Sequence, residues 1–380
     1  QSPIPNPQSP IPNPQMLIKL SLKLKYLFII LIIFIIIIYI DKIINEESIY
    51  NEKNYKNIKS SINLKLDDFY IIKDKLELTN SLIKIYSDLY DYSRDGYTKP
   101  KFSKLINDYS NKQKFLNICI CSIAKNENLY VKEFVEYYKN LGIDKIFLYD
   151  NNDIEGEKFD KILSDYIKIK FIEIIDVRGL SSIQIPIYNY CYRKNFELYN
   201  WIGFLDLDEY LYIENNQSIK SYLYDQNFNK CQTIFFNWIL YNDNDLIRYD
   251  NRDLIERFTN PVIKFEQGKS FVRGNIKNLV MPSSHIPGIN VFSFCNTNGE
   301  LIYPKNFFSN KFEKKPKAYI KHFYTKTAEE FCEKIKKGDA HFHKNHKNYK
   351  AGISAKIIRF FQLNKKTYEK VKILENCLKI

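Results

Sequence analysis

Trp201-Ile-Gly-Phe-Leu-Asp-Leu-Asp-Glu-Tyr-Leu-Tyr212 is the stretch that decides the fold. Trp201 to Leu205 is an apolar run of strand type, and it ends in Asp206-Leu207-Asp208-Glu209, three carboxylates within four residues. Alternate residues of a strand point the same way. The pattern therefore predicts that Asp206 and Asp208 face one point beyond the strand's end, provided the extended conformation continues. Two neighbouring carboxylates raise each other's pKa unless a cation lies between them. A hard divalent ion with oxygen ligands and water, Mg2+ or Mn2+, suits that place, and it would neutralise phosphate groups. The competing reading is a solvated acidic turn. An EF-hand calcium loop is disfavoured, because the sixth position from Asp206 is Leu211 rather than Gly and the twelfth is Gln217 rather than Glu.

Upstream of this stretch, apolar runs alternate with helical patterns. Asn117 to Ile123 reads as a strand and Leu129 to Asn140 as an amphipathic helix closed at Leu141-Gly142. Lys145 to Tyr149 is a second strand, Phe159 to Tyr166 a helix and Ile169 to Ile174 a third strand. Ile183 to Tyr199 reads as a helix interrupted near Pro186. Such alternation predicts an α/β fold with a mostly parallel sheet covered on both faces. Ligands of such sheets bind beyond the carboxyl ends of the strands. Three of those ends carry polar clusters: Lys125-Asn126-Glu127, Asp150-Asn151 and Asp206-Leu207-Asp208-Glu209. The chain has no Gly-x-Gly-x-x-Gly and no P-loop, which argues against a dinucleotide dehydrogenase or a P-loop NTPase.

The rest of the sequence bounds the setting. The chain has 380 residues, a hydrophobic fraction of 45% and a net charge of +13. Its lysines are scattered among acidic residues, which fits a surface attracting anionic ligands or lipid better than a nucleic-acid stripe. Seven cysteines at irregular spacing give no zinc signature and no small disulfide framework. Cys119 and Cys121 read as small buried hydrophobes on one strand face. Residues 1–15 are a proline-rich repeat, excluded from the fold. Lys19, Lys23 and Lys25 precede Tyr26 to Ile40, 15 residues without a charge. That pattern predicts a single transmembrane signal anchor over 20–44 with the N-terminus inside. A cleaved signal peptide lacks its small-x-small site here. A stem follows over 45–112, with helix over Leu64 to Tyr90, then the main domain over 113–345 and a helical tail over 346–380.

The order of motifs resembles the family 92 and DUF23-like glycosyltransferases, relatives of family 2. The resemblance runs through Ile123-Ala-Lys-Asn-Glu127, Glu133-Phe-x-x-Tyr137, Leu141-Gly-Ile-Asp144 and Tyr149-Asp-Asn151. It continues with Gln184, Cys191 and Phe204-Leu-Asp-Leu-Asp-Glu-Tyr210. Phe236-Asn-Trp238, Glu256-Arg-Phe258, His285, His322-Phe-Tyr-Thr-Lys326, Phe331 and Lys334-Ile-Lys-Lys-Gly338 complete it. Two departures stand out: Tyr210 in place of Phe, and Lys269-Ser-Phe-Val-Arg-Gly274 with Gly in place of Pro.

The resemblance implies a GT-A-like, Rossmann-type mixed sheet with flanking helices. It also implies metal-dependent transfer of a sugar from a nucleotide-sugar, UDP-galactose by analogy, to a glycan or other hydroxyl acceptor. Asp206 and Asp208 become metal residues, with His285 completing the site as an imidazole ligand. Lys125, Asn126, Glu127, Asp150 and Asp206 line the nucleotide-sugar pocket, with His322 and Lys326 from the later motif. Arg257 is a candidate phosphate ligand, since guanidinium grips phosphate oxygens in bidentate fashion. An inverting transfer needs a carboxylate base, for which Asp243 and Asp245 are the candidates, against a plain loop. His341, His343 and His346 read as a polar turn. A basic lysine-rich anchor facing the cytosol would put the main domain in the Golgi or ER lumen of a eukaryote; in a bacterium the setting would be the inner membrane. The alternative function is a catalytically silent, membrane-tethered glycan-binding protein on the same fold.

Overall fold

The computed structural model describes residues 116–378 except 181–182, 288–292, 303, 305–309 and 338–348, together with Ser81, Lys84 and Ile85. The proline-rich repeat, the apolar span 20–44 and the His341, His343 and His346 cluster lie outside the described residues. So does the stem apart from Ser81, Lys84 and Ile85, which are helical. Among the described residues no helix is long and apolar enough to cross a membrane.

The first half follows the strand–helix alternation. The elements are β1 (Ile118–Ala124), α1 (Asn128–Leu141), β2 (Lys145–Asp150), α2 (Ser164–Lys168), β3 (Ile172–Asp176), α3 (Gln184–Asn195) and β4 (Trp201–Phe204). α1 buries Tyr130, Val131, Phe134, Val135 and Tyr138, the stripe expected of a helix lying on a sheet. It stops at Gly142, whose φ of 99° is the left-handed conformation that glycine adopts freely. The interruption expected at Pro186 does not occur. Pro186 lies in the first turn of α3, where a missing N–H breaks no helical bond.

The four strands pair in parallel in the order β3-β2-β1-β4. Register aligns Ala124 with Asp150 and Asp150 with Asp176, so these strand ends share one edge. Beyond β4 the sheet becomes mixed, as the family resemblance implies, and the parallel pairing read from the strand–helix alternation holds for the first half. It continues through β7 (Pro261–Arg273), β6 (Thr233–Tyr241), β10 (Ala318–His322) and β5 (Glu209–Ile213). β7 is antiparallel to β4 and β6, and β10 is parallel to β6 but antiparallel to β5. The short β8 (Phe294–Cys295) and β9 (Leu301–Ile302) bring the sheet to ten strands among the described residues. Gly203 is glycine for a packing reason, since a Cβ there would sit 2.5 Å from the Phe271 ring on β7.

The remaining helices are α4 (Ile219–Leu223), α5 (Leu254–Arg257), α6 (Ala328–Lys337), α7 (Tyr349–Leu363) and α8 (Tyr368–Leu378). α6 packs with α7 and α8 around Phe331, Ile335, Phe360 and Leu374.

The cysteines depart from expectation. Cys121 is buried as expected, but it is bonded to Cys191, tying β1 to α3. Cys231–Cys295 joins the approach to β6 to β8, and Cys332–Cys377 joins α6 to α8. Cys119 is the buried free thiol. The separations of 70, 64 and 45 residues explain why sequence spacing gave no framework.

Candidate functional site

The chain turns sharply after β4. The Glu209 N–H donates to the Asp206 carbonyl at 3.1 Å, and the Asp206 N–H donates to Glu209 Oε2 at 2.9 Å. Extended conformation therefore does not continue through Asp206-Leu207-Asp208, and the two aspartates meet different neighbours. Register then sets what Asp208 meets. β10 lies antiparallel to β5 with His322 opposite Glu209, and the Phe323 N–H donates to the Asp208 carbonyl at 2.9 Å.

Asp206 is gripped on both carboxylate oxygens. Gln184 Nε2 and the Tyr188 hydroxyl of α3 donate to Oδ1 at 2.7 and 3.0 Å, and Lys269 Nζ of β7 donates to Oδ2 at 2.9 Å. Lys269 is fully buried and also lies 3.7 Å from Glu209 Oε2. Burial pushes the Asp206 pKa up, but the charge and hydrogen bond of Lys269, with the Tyr188 hydroxyl, together hold the carboxyl below its ordinary value. For Glu209 burial wins and drives the pKa well up, with Lys269 opposing.

Asp208 faces the end of β10 and the last turn of α6. Its Oδ2 accepts from Lys334 Nζ at 2.8 Å and lies 4.0 Å from Lys326 Nζ. His322 Nε2 stands 3.6 Å from Oδ1, beyond hydrogen-bond reach. Burial alone would raise Asp208, yet Lys334, His322 and Lys326 together hold it well below its ordinary value. His322 is pushed down by burial, so it is neutral at physiological pH, and among the described residues its buried Nδ1 has no hydrogen-bond partner. Each aspartate thus has its own lysines: Lys269 at Asp206, and Lys334 and Lys326 at Asp208.

Glu127 joins the same cluster from the end of β1. It pairs with Lys337 of α6, and its Oε2 lies 4.0 Å from Lys326 Nζ. Lys326 has a left-handed φ of 52° and its ammonium sits 4.2 Å from the Tyr130 ring centroid. Burial lowers its pKa, against the pull of Glu127 and Asp208. Asn126, also left-handed, donates its N–H to Asn152 Oδ1 at 2.6 Å, and Lys125 pairs with Asp153 at 2.7 Å. These contacts tie the loop after β1 to the loop after β2. Asp150 at the end of β2 is buried and raised by that burial; its Oδ2 is 4.0 Å from Arg178 Nε. Arg178 grips Asp176 at the end of β3 and was not singled out from the sequence.

Four expected residues sit in other surroundings. Arg257, read as a phosphate ligand, is 2% exposed and spends its guanidinium on Glu330, with two bonds of 2.9 Å. Glu330 also accepts from the Thr327 N–H and hydroxyl, while Thr327 Oγ1 accepts from the Glu330 N–H. That is a capping box at the start of α6, so Arg257 anchors the helix. Asp243, a candidate base, is buried against Lys370 of α8 at 2.6 Å and accepts from the Asp245 N–H. Asp245 is largely exposed, 4.0 Å from Lys370. His285 points Nδ1 at the Gly268 carbonyl at 2.8 Å and stands edge-on to Trp238, which also packs against His322. The histidine in contact with Asp208 is His322.

Lys269, Gln184 and Tyr188 bind the Asp206 carboxylate without having been assigned to it. The first two lie in quoted motifs, and the signal for Tyr188 is its i+4 spacing from Gln184 on α3.

A family model described as Glycosyltransferase family 92 matches residues 114–348. A glycosyltransferase family 92 protein of Oryza sativa subsp. japonica is 24% identical over 112 residues, 30% of this chain and 19% of that protein. One of Ricinus communis is 27% identical over 103 residues, 27% of this chain and 18% of that protein. The match therefore spans less than a fifth of each relative's length. Among solved structures, TarS of S. aureus in complex with UDP-GlcNAc overlays 69% of this chain and 80% of its own, at 12% identity and a TM-score of 0.34. That likeness is too slight to support a conclusion.

Proposed function

The chain belongs to glycosyltransferase family 92, and from that membership we propose that it is a GT-A transferase. It moves a sugar from a nucleotide-sugar, UDP-galactose in the first instance, to a hydroxyl of a glycan or glycoconjugate, with inversion. The observation that carries this reading is the meeting of Asp208, His322, Glu127 and Lys326 where β1, β4 and β10 end. Sheets of this kind take their ligands at that edge. Lys125, Asn126 and Asp150, on the loops after β1 and β2, belong to the nucleoside side of the same edge. Asp245 is the more open of the two candidate bases.

We include a divalent cation, Mn2+ or Mg2+, in the proposal. Among the described residues no three His, Cys, Asp or Glu side chains form a complete cage. What the chain offers is Asp208 Oδ1 beside His322 Nε2, an oxygen and a neutral imidazole nitrogen not bonded to each other. That partial set fits an ion completed by substrate phosphates and water. Asp208 and His322 would hold it, with Asp206 fixed behind them by Lys269. Bound there, the ion would neutralise charge on the leaving diphosphate.

The three disulfides support an oxidising compartment. With the apolar span at 20–44, they favour a single-pass protein whose transferase domain faces the Golgi or ER lumen.

The test is turnover by the purified full chain in detergent on a panel of nucleotide-sugars, with Mn2+, with Mg2+ and with a chelator. Release of nucleoside diphosphate with one donor, lost on chelation, is expected. No turnover with any donor, from folded protein at matched metal, would overturn the reading.

A further inference from the structure

Two side chains on the last turn of α6 have no part in the scheme above. Lys334 and Lys337 are three residues apart, so they share one helix face. Lys334 reaches Asp208 and Lys337 reaches Glu127. Their side chains keep 28% and 24% of their surface open, whereas the Lys269 side chain keeps none. Lys334 is further steadied by the Tyr324 carbonyl at 2.9 Å and by the Tyr324 ring, 4.4 Å from its ammonium.

The local charge is unequal. Among the described residues Lys326, Lys334 and Lys337 face Asp208 and Glu127, and Glu330, which also acts on Lys326, is matched by the Arg257 guanidinium, so the cations outnumber the carboxylates by one. An anion with several acceptor oxygens has a place to bind there. Lysine suits exchange of partners, because its ammonium is a point charge on a flexible four-carbon stem. The helix beneath is fixed by the Thr327–Glu330 capping box, the Arg257 fork and the Cys332–Cys377 bond. Mobile side chains are thus presented by a rigid element.

We propose that Lys334 and Lys337 are the diphosphate clamp of the donor site. Without ligand, Asp208 and Glu127 hold the two ammonium groups in place. When the diphosphate arrives, the lysines exchange carboxylate oxygens for phosphate oxygens, which frees Asp208. The proposal rests on the nucleotide-sugar reading above and adds to it the residues that carry the phosphates.

Calorimetric titration of the purified full chain with UDP and with inorganic pyrophosphate tests it. The proteins compared are wild type, Lys334→Gln, Lys337→Gln and the two Lys→Arg variants. Each Gln variant should bind both probes about tenfold or more weakly, with a shallower salt dependence and an unfolding midpoint within a few degrees of wild type. The Arg variants, which keep the charge, should recover much of the loss. Gln variants that bind UDP within about twofold of wild type would overturn the clamp. So would a loss that Arg does not restore and that follows a fallen unfolding midpoint. If wild type binds neither probe, the nucleotide-sugar reading fails and takes the clamp with it. If wild type binds and the variants match it, the clamp alone fails.

Discussion

Asp206 and Asp208 are two residues apart and carry the same charge, yet they have different neighbours. Asp206 is held by groups within the sheet and α3, and its cation, Lys269, is fully buried and shared with Glu209. Asp208 meets its cations at the sheet's edge: Lys326 of the loop before α6 is buried, and Lys334 of α6 remains partly open. The difference lies in the lysines rather than in the aspartates, since the Asp206 side chain is 35% open and that of Asp208 11%. A buried lysine whose removal strands two carboxylates acts as a strut, whereas a partly open one can change partners.

The largest effect should come from Lys269→Met, which leaves Asp206 and Glu209 without their cation. Breaking a buried ion pair in this way costs about 3–5 kcal/mol, read from denaturant unfolding at pH 7. A loss below about 1 kcal/mol, the range of exposed pairs, would erase the contrast between the two aspartates.

Arg257→Ala comes next, because Glu330 would lose its fork and α6 its anchor. We expect a loss of about 3 kcal/mol and, through displaced Lys334 and Lys337, weaker UDP binding. An Arg257→Ala protein of normal stability that binds no UDP would return Arg257 to the phosphate.

A third carboxylate sharpens the comparison through pH. Among the described residues no ion pair is recorded for Glu133; its partners are the Leu254 and Ile255 N–H groups. Burial dominates and raises its pKa from 4.5 to about 7. Between those values the folded state binds more protons than the unfolded one, so this group's contribution to stability falls as pH rises through that window. Glu133→Gln should flatten the fall and leave the variant ahead by about 1 kcal/mol at pH 8. Midpoints measured from pH 4 to 8 check it, and parallel curves for the two proteins would contradict it. The depressed Asp206 and Asp208 carry the opposite sign: their contribution is whole above pH 4 and is lost as pH falls through their lowered folded values.

Lys334→Gln should have the smallest effect on stability, about 0.5–1 kcal/mol, despite lying as close to its aspartate as Lys269 does to its own. A loss as large as that of Lys269→Met would make both lysines struts.

The sequence made the first half of the sheet legible because β1 to β4 obey local rules: apolar runs, amphipathic helices and a glycine stop at Gly142. It left the second half dark because β5 to β10 pair by long-range register. That register puts His322 opposite Glu209 and thereby chooses the histidine that meets Asp208. Arg257 misled because a guanidinium suits a phosphate and a buried carboxylate equally well. Only its 2% exposure and the Glu330 fork decide between them. Asp206 and Asp208 were legible as a pair but not as unlike partners, since the turn closed by Glu209 ends the extended run that the alternation assumed.

The central claim is that the Asp208 charge serves a bound nucleotide-sugar and not the fold. Asp208→Asn keeps the shape and one acceptor oxygen but removes that charge. Assayed beside wild type with the active donor and matched Mn2+, it should lose about a thousandfold or more in turnover, while its thermal transition moves by only a few degrees, roughly 1 kcal/mol. Near-equal rates from two proteins with the same thermal transition would contradict the claim.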